Sequence, residues 1–185
     1  MKQLFVIFIL SLSSLSAKAI PLDFLDLGVV GSVGEFSFST EGSFFLAGSS
    51  AFSDGQDVDT ELGLWSKEGQ LLSSNDDINF GGGNLFSAIN LFLDAGVYFL
   101  GASEFNTNFA DNFSITGNRF EQGDIASISL NINDVFSGLR IAGEESGLSE
   151  NAFFRIEVTD VPEPSTLALL GFGFAGLCVA RRKSL

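Results

Sequence analysis

Along the middle of the chain, apolar and polar residues alternate with a period of two. The alternation is clearest in residues 35–39, 61–66, 125–132 and 153–158, and residues 96–102 form a β-rich run between glycines. Period-two alternation with one buried face is typical of strands in an antiparallel sheet. The sequence therefore predicts an all-β fold, an antiparallel β-sandwich or jelly-roll-like domain.

Polar, glycine-containing segments separate these runs. Residues 41–43, 67–70, 81–83 and 94–96 have the composition of turns and loops. Residues 85–90 also permit a short helical turn. Residues 120–148 either extend the sheet or form a large insertion, so the strand count after residue 106 stays open.

The first 19 residues have the features of a secretory signal peptide. Lys2 supplies the positive start, residues 4–10 are uniformly apolar, and Ala17 and Ala19 flank a lysine at the end. These are the three parts that the export machinery and signal peptidase read, and we expect an N-terminal signal helix cleaved after Ala19. Pro21 then stops a helix from continuing into the domain.

The last 25 residues, 161–185, form a second targeting segment. It begins with a rigid extended motif made of Pro162, Glu163 and Pro164. A 14-residue apolar run, 167–180, follows, which is short against the roughly 20 residues of a membrane helix. A basic tail then predicts a cytoplasmic C-terminus, through Arg181, Arg182 and Lys183. A C-terminal hydrophobic helix that enters the membrane transiently is predicted, with a permanent single-pass anchor as the alternative.

This segment resembles the PEP-CTERM sorting signal of Gram-negative bacteria in its motif, its glycine-interrupted helix and its basic tail. The resemblance implies that an exosortase, a membrane protease, recognises the motif and removes the helix. It also implies delivery to the cell surface or into an exopolysaccharide matrix, often that of a biofilm. Signal peptidase and an exosortase-like protease are thus the expected partners, with exopolysaccharide as a further one.

The domain between these ends, residues 20–160, is strongly acidic. It holds 22 acidic residues against four cations, which leaves a net charge of −18. Such a surface repels phosphate backbones, so we expect no nucleic-acid partner. The chain has no histidine, and its one cysteine, Cys178, lies in the C-terminal segment. A Ser-His-Asp triad and a cysteine nucleophile are therefore excluded from the domain, and we expect no enzyme activity.

The middle of the chain, roughly residues 35–105, resembles a second family, the bacterial pre-peptidase C-terminal domain. The matching features are Asp54, Asp57 and Asp59, then residues 62–65, 67–72, 75–77 and 93–99 in order. The resemblance implies a small β-sandwich that serves as a binding or accessory module without catalysis.

Acidic and amide side chains flank the two strands predicted at residues 62–65 and 71–74. If these strands pair as a hairpin, one end of the hairpin gathers five oxygen-bearing side chains: Asp57, Asp59, Asn75, Asp76 and Asp77. Ca²⁺ takes six to eight oxygen ligands, so this end is a candidate Ca²⁺ site. Asx turns at solvated strand ends are the alternative interpretation, and no other cofactor is indicated.

Together these patterns predict an exported, non-catalytic structural or adhesive domain. One alternative is a carbohydrate-binding module, with Trp65 and Tyr98 as a stacking platform. Both aromatic residues lie inside strand runs, which favours packing within the sheet. A secreted hydrolase that uses two carboxylates is a further alternative, although 22 acidic residues single out no pair.

Overall fold

The computed structural model describes residues 23–46, 55–78, 80–117, 124–143 and 151–160. Ala17 and Ala19 of the predicted signal peptide lie outside the described residues, as does everything from residue 161 onward. Among the described residues, no helix has both the length and the apolar character that crossing a membrane requires. The two flanking helices stay predictions.

The described residues form an all-β domain, with a single turn of 3₁₀-helix at Phe80–Gly82. In chain order its strands are β1 Leu25–Ser32, β2 Gly34–Ser39, β3 Phe44–Phe45, β4 Thr60–Ser66, β5 Leu71–Asn75, β6 Ala88–Leu93, β7 Gly96–Glu104, β8 Thr107–Ala110, β9 Ser114–Gly117, β10 Ile125–Ile132, β11 Val135–Gly143 and β12 Ala152–Thr159.

Two sheets and one hairpin contain these strands. The front sheet has the order β1-β12-β7-β4-β5, and the back sheet has the order β11-β10-β2-β6, with β3 pairing on β10. Strands β8 and β9 form a separate two-stranded hairpin. A β-rich, sandwich-like fold was predicted and is confirmed.

The main core lies between the two sheets. The inward faces of β2 and β10 supply Phe36, Phe38, Ile128 and Leu130, which meet residues of β4, β7 and β12 such as Leu64 and Phe154. The alternation in residues 125–132 places its apolar half in this core, as predicted. Burial of this apolar surface is the main favourable term in folding.

A second core covers the outer face of the front sheet. Trp65 of β4 and Phe99 of β7 are buried there beneath the β8–β9 hairpin, against Phe113 and Ile115. The Trp65 indole N–H donates to the Ala110 carbonyl at 2.8 Å, which ties the sheet to the hairpin. Strands β4 and β7 are therefore buried on both faces.

One strand pair departs from the predicted antiparallel arrangement. Strand β1 runs parallel to β12, and their register shifts between Asp26 and Val29 and again between Val29 and Gly31. The described pairings of the other strands are antiparallel. Two parallel strands cannot be joined by a tight turn. Here β1 and β12 are neighbours in the sheet, but most of the domain's sequence lies between them.

Two open points of the sequence interpretation are resolved. The helical turn considered at residues 85–90 is wrong, because strand β6 begins at Ala88 and pairs along β2. In the region after residue 120, β10 and β11 form a hairpin of the back sheet, which is an extension of the sheet. Its turn consists of Asn133 and Asp134, which have φ angles of 52° and 62°.

Candidate metal centre at one end of the sandwich

Three carboxylates meet at one end of the front sheet. Strand β4 begins directly after Asp59, and β5 ends directly before Asp76 and Asp77. The two strands pair antiparallel, with Leu62 opposite Asn75, so both segments lie at the same end. One carboxylate oxygen from each of Asp59, Asp76 and Asp77 lies within 4.8 Å of the others.

Buried hydroxyl groups fix the backbone under this cluster. The Ser87 hydroxyl contacts the carbonyl oxygens of Thr60 and Asp76, so it links the start of β4 to the segment after β5. The Ser87 amide donates to Thr40 Oγ1 at 2.9 Å, and the Thr40 and Thr60 hydroxyl oxygens are 2.5 Å apart. Because Thr40, Thr60 and Ser87 are fully buried, the hydrogen bonds among them are shielded from water and hold the two acidic segments together.

Without a bound cation, each of these carboxylates makes the ionised form of its neighbours less favourable. Burial, with repulsion from Asp77 and Asp76, raises the pKa of Asp59 to about 6. Burial, followed by repulsion from Asp76, also raises the pKa of Asp77. The Oδ1 atoms of Asp59 and Asp77 are buried and have no hydrogen-bond partner among the described residues. Buried charge without a partner is costly, and a divalent cation would relieve it.

The cations of the described segments are paired elsewhere. Lys67 lies 3.7 Å from Glu68. Arg140 lies 2.5 Å from Asp23, and Arg155 lies 2.8 Å from Asp26. The side chains that the structure describes thus leave the negative charge of the cluster without a basic neighbour.

Two of the five predicted ligands lie apart from this cluster. Asp57 is exposed and lines a different cleft, together with Gln56 and Leu85. The Asn75 side chain accepts a hydrogen bond from the Ala88 amide at 2.9 Å, which anchors β6 beside β5. The structure therefore brings together Asp59, Asp76 and Asp77, and gives Asn75 a structural contact.

Sequence reasoning missed a fourth carboxylate, Glu61, which is only 5 % exposed. Its Oε1 accepts the Thr107 amide at 2.9 Å. Burial raises the pKa of Glu61, and repulsion from Asp76 and Asp59 adds to the rise, while the Thr107 and Asn106 amides oppose it. A charged residue at this position of β4 is expected at the surface, and the contact with Thr107, 46 residues away, is not visible in the local pattern.

Glu61 and Asp76 also line a cleft of about 390 Å³ beside the cluster. Phe105, Asn106 and Asn108 form part of its wall. The Phe105 amide donates to the Asp59 carbonyl at 3.0 Å, so the cleft and the carboxylate cluster share one backbone scaffold.

The proposed stacking platform is absent from the surface. Trp65 is fully buried, and Tyr98 is 9 % exposed with its hydroxyl donating to the Asp94 carbonyl at 2.9 Å. Packing within the sheet, which the strand positions favoured, is confirmed for both residues.

Comparison with known proteins identifies the C-terminal segment. Residues 160–183 match the PEP-CTERM protein-sorting motif, which covers Pro162, Glu163, Pro164 and the basic residues 181–183. No match was found among curated proteins or among solved structures. The β domain therefore carries the tail of an exported protein sorted by an exosortase, with a membrane-associated C-terminal signal. The resemblance of the middle domain to the pre-peptidase family stays unconfirmed.

Proposed function

We propose that this protein is a surface or exopolysaccharide-matrix protein of a Gram-negative bacterium, built around a non-catalytic structural or adhesive β domain. The match of residues 160–183 to the sorting motif carries the proposal. In the proposed route, signal peptidase removes residues 1–19 and the C-terminal helix enters the membrane. An exosortase-like protease then releases the domain.

The described domain is suited to this role. Two apolar cores, one on each face of β4 and β7, stabilise the domain. A net charge of −18 over residues 20–160 keeps such a domain hydrated within a matrix. The chain has no histidine, which supports a role without acid–base catalysis by imidazole.

The sorting step is tested by replacing Pro162, Glu163 and Pro164 together with alanine. We expect the tail to stay attached, which mass spectrometry of the surface fraction would detect as a larger species. Alanine at the neighbouring Val161, Ser165 and Thr166 is the matched control. Normal removal of the tail from the first variant would refute processing at this motif.

We further propose that Asp59, Asp76 and Asp77 bind Ca²⁺. The supporting observations are the 4.8 Å grouping of their oxygens and the two buried Oδ1 atoms without a hydrogen-bond partner. Three carboxylates supply part of a Ca²⁺ shell, and water or backbone oxygens would complete it. A bound divalent ion would offset the burial and the repulsion that raise the pKa values of Asp59 and Asp77.

Calorimetric titration of the full chain in detergent, followed by thermal unfolding, tests this site. We expect binding heat, and a rise of several degrees in Tm at saturating Ca²⁺, because a ligand that binds only the folded state stabilises it. Asp76→Asn should lose both effects. Asp57→Asn, at an exposed position outside the cluster, should keep both. If the wild-type protein shows no binding heat and no Tm shift with Ca²⁺, the site is refuted.

A further inference from the structure

We propose that the cleft beside the carboxylate cluster binds a sugar unit of a polysaccharide that carries free amino groups. The inference deepens the proposed matrix role and rests on it, since it names the class of polymer that the domain would hold. It concerns a different surface from the buried Trp65 and Tyr98.

The cleft has the size and lining of a small-ligand site. Its volume of about 390 Å³ falls within the roughly 300–1,000 Å³ that such sites occupy. Glu61, Asp76, Asn106 and Asn108 are among the residues that line it. Carboxylates and amides are the groups that hydrogen-bond the hydroxyl and amino groups of a sugar.

An aromatic ring is exposed at the edge of this polar cleft. Phe105 is 52 % exposed, although its backbone is fixed by the bond from its amide to the Asp59 carbonyl at 3.0 Å. Phe109 contributes a second, half-buried ring whose centroid lies 5.6 Å from that of Trp65. An anchored, exposed ring beside hydrogen-bonding groups can stack on the apolar face of a pyranose, and it also attracts an ammonium group.

Charge selects the kind of sugar. Two acidic residues, the almost fully buried Glu61 and the exposed Asp76, line the cleft. The described lysine and arginines pair with other acids, as noted above. An ammonium group in the cleft would compensate this charge, whereas a uronic acid would be repelled. Charge complementarity thus favours an amino sugar over a neutral or acidic one.

The two proposed sites share one side chain. Asp76 belongs both to the carboxylate cluster and to the cleft wall. A Ca²⁺ ion on Asp76 would lower its attraction for an ammonium group, so the two ligands should oppose each other. Such coupling is reciprocal, because each ligand must change the affinity of the other by the same factor.

Titration of a glucosamine oligosaccharide into the full chain in detergent tests the cleft. EDTA makes the result independent of the Ca²⁺ site, and the use of the full chain makes it independent of tail processing. We expect binding at least tenfold tighter than for the fully N-acetylated oligosaccharide of the same length. Equal binding of the two, or no binding, would overturn the proposal. A linear polyamine that binds as tightly as the oligosaccharide would also overturn it, because the cleft would then recognise positive charge alone and not the sugar.

Variants locate the binding. Phe105→Ala should weaken it at least tenfold, and Phe136→Ala, which truncates another exposed phenylalanine far along the chain on β11, should leave it unchanged. Asn108→Lys at an exposed position should abolish binding by introducing a competing cation, without disturbing a core. Thermal unfolding of each variant verifies the fold. Tight binding by the folded Phe105→Ala or Asn108→Lys protein would exclude this cleft as the site.

Discussion

Gly63 lies directly beneath the ring of Phe109. A Cβ atom at this position would come within 2.7 Å of the Phe109 ring and within 2.8 Å of the Trp65 indole. The absence of a side chain in the middle of β4 therefore allows the β8–β9 hairpin to lie close against the front sheet.

Gly63→Ala should destabilise the domain by about 2 kcal/mol, because overpacking forces the rings or the hairpin to shift. Chemical unfolding measures the change. Gly34→Ala is the matched control in β2, since its nearest neighbour to a new Cβ is 3.7 Å away, and we expect an effect below about 0.5 kcal/mol. Equal stability of the two variants would show that the hairpin does not pack as described.

The β10–β11 turn gives two predictions of opposite sign. Asn133 Oδ1 accepts the Ser37 amide at 3.0 Å, so Asn133→Ala should cost about 1–2 kcal/mol through the lost hydrogen bond and the positive φ. Asp134→Gly should stabilise by about 0.5 kcal/mol, because glycine adopts a φ of 62° without strain. Thermal unfolding of both variants checks the pair. A shift in the same direction for both would contradict the turn geometry.

Asp59 should make the Ca²⁺-free domain less stable as pH rises. Its folded pKa of about 6 lies above the ordinary 3.8, so between these values the folded state binds more protons than the unfolded state. The destabilisation is absent below pH 3.8 and complete above about pH 6. Asp59→Asn should therefore raise the free energy of unfolding at neutral pH by about 1 kcal/mol, a value that allows for partial exposure.

Denaturant unfolding in EDTA across this pH range measures the effect of Asp59→Asn. The gain should disappear at the acidic end, and the variant should no longer be stabilised by Ca²⁺. Asp57→Asn serves as the exposed control. A loss of stability in Asp59→Asn at neutral pH would show that its charge is compensated in the folded protein.

The ion pair between β1 and β12 has the opposite pH dependence. The Gly28 amide and then the Arg155 guanidinium lower the pKa of Asp26, whose oxygens lie 2.8 and 2.9 Å from Arg155 Nη1. The stabilisation is present above the ordinary pKa of 3.8 and is lost as pH falls through the lowered value. Asp26→Asn should lower Tm at neutral pH, and less so at high salt.

Unfolding of the wild type and of Asp26→Asn at several pH values measures this difference. The Tm difference between the two proteins should shrink below pH 3.8. Glu35→Gln, at an exposed position of β2, is the control for a simple change of net charge. A wild-type advantage that persists in strong acid would rule out the ion pair as its cause.

The strands with regular alternation could be predicted from the sequence, since one face of each contacts the main core. Strand β10 runs over the predicted residues 125–132. Strand β1 could not be predicted this way, because its two register shifts and the positive φ of Gly28 interrupt the alternation. The turn at Asn133 and Asp134 carries a usable signal, two residues that tolerate a positive φ between apolar runs.

All three carboxylates of the cluster could be predicted, because their meeting depends on a local hairpin between β4 and β5. The burial of Glu61 could not, since it depends on Thr107, 46 residues away. The covered outer face of the front sheet is a similar case. Nothing in the spacing of Phe109 and Phe113 along the chain indicates that they belong to a second core outside the sandwich.

Strand β12 is paired along both sides, with β1 and with β7. The residue that follows it, Asp160, is also where the match to the sorting motif begins. Tension transmitted from the tail would pull along this strand and load two ladders at once. Such a strand resists shearing, whereas an edge strand can be peeled away one bond at a time. Until the protease releases it, the domain would thus bear mechanical load at the point where the tail holds it, without any covalent cross-link.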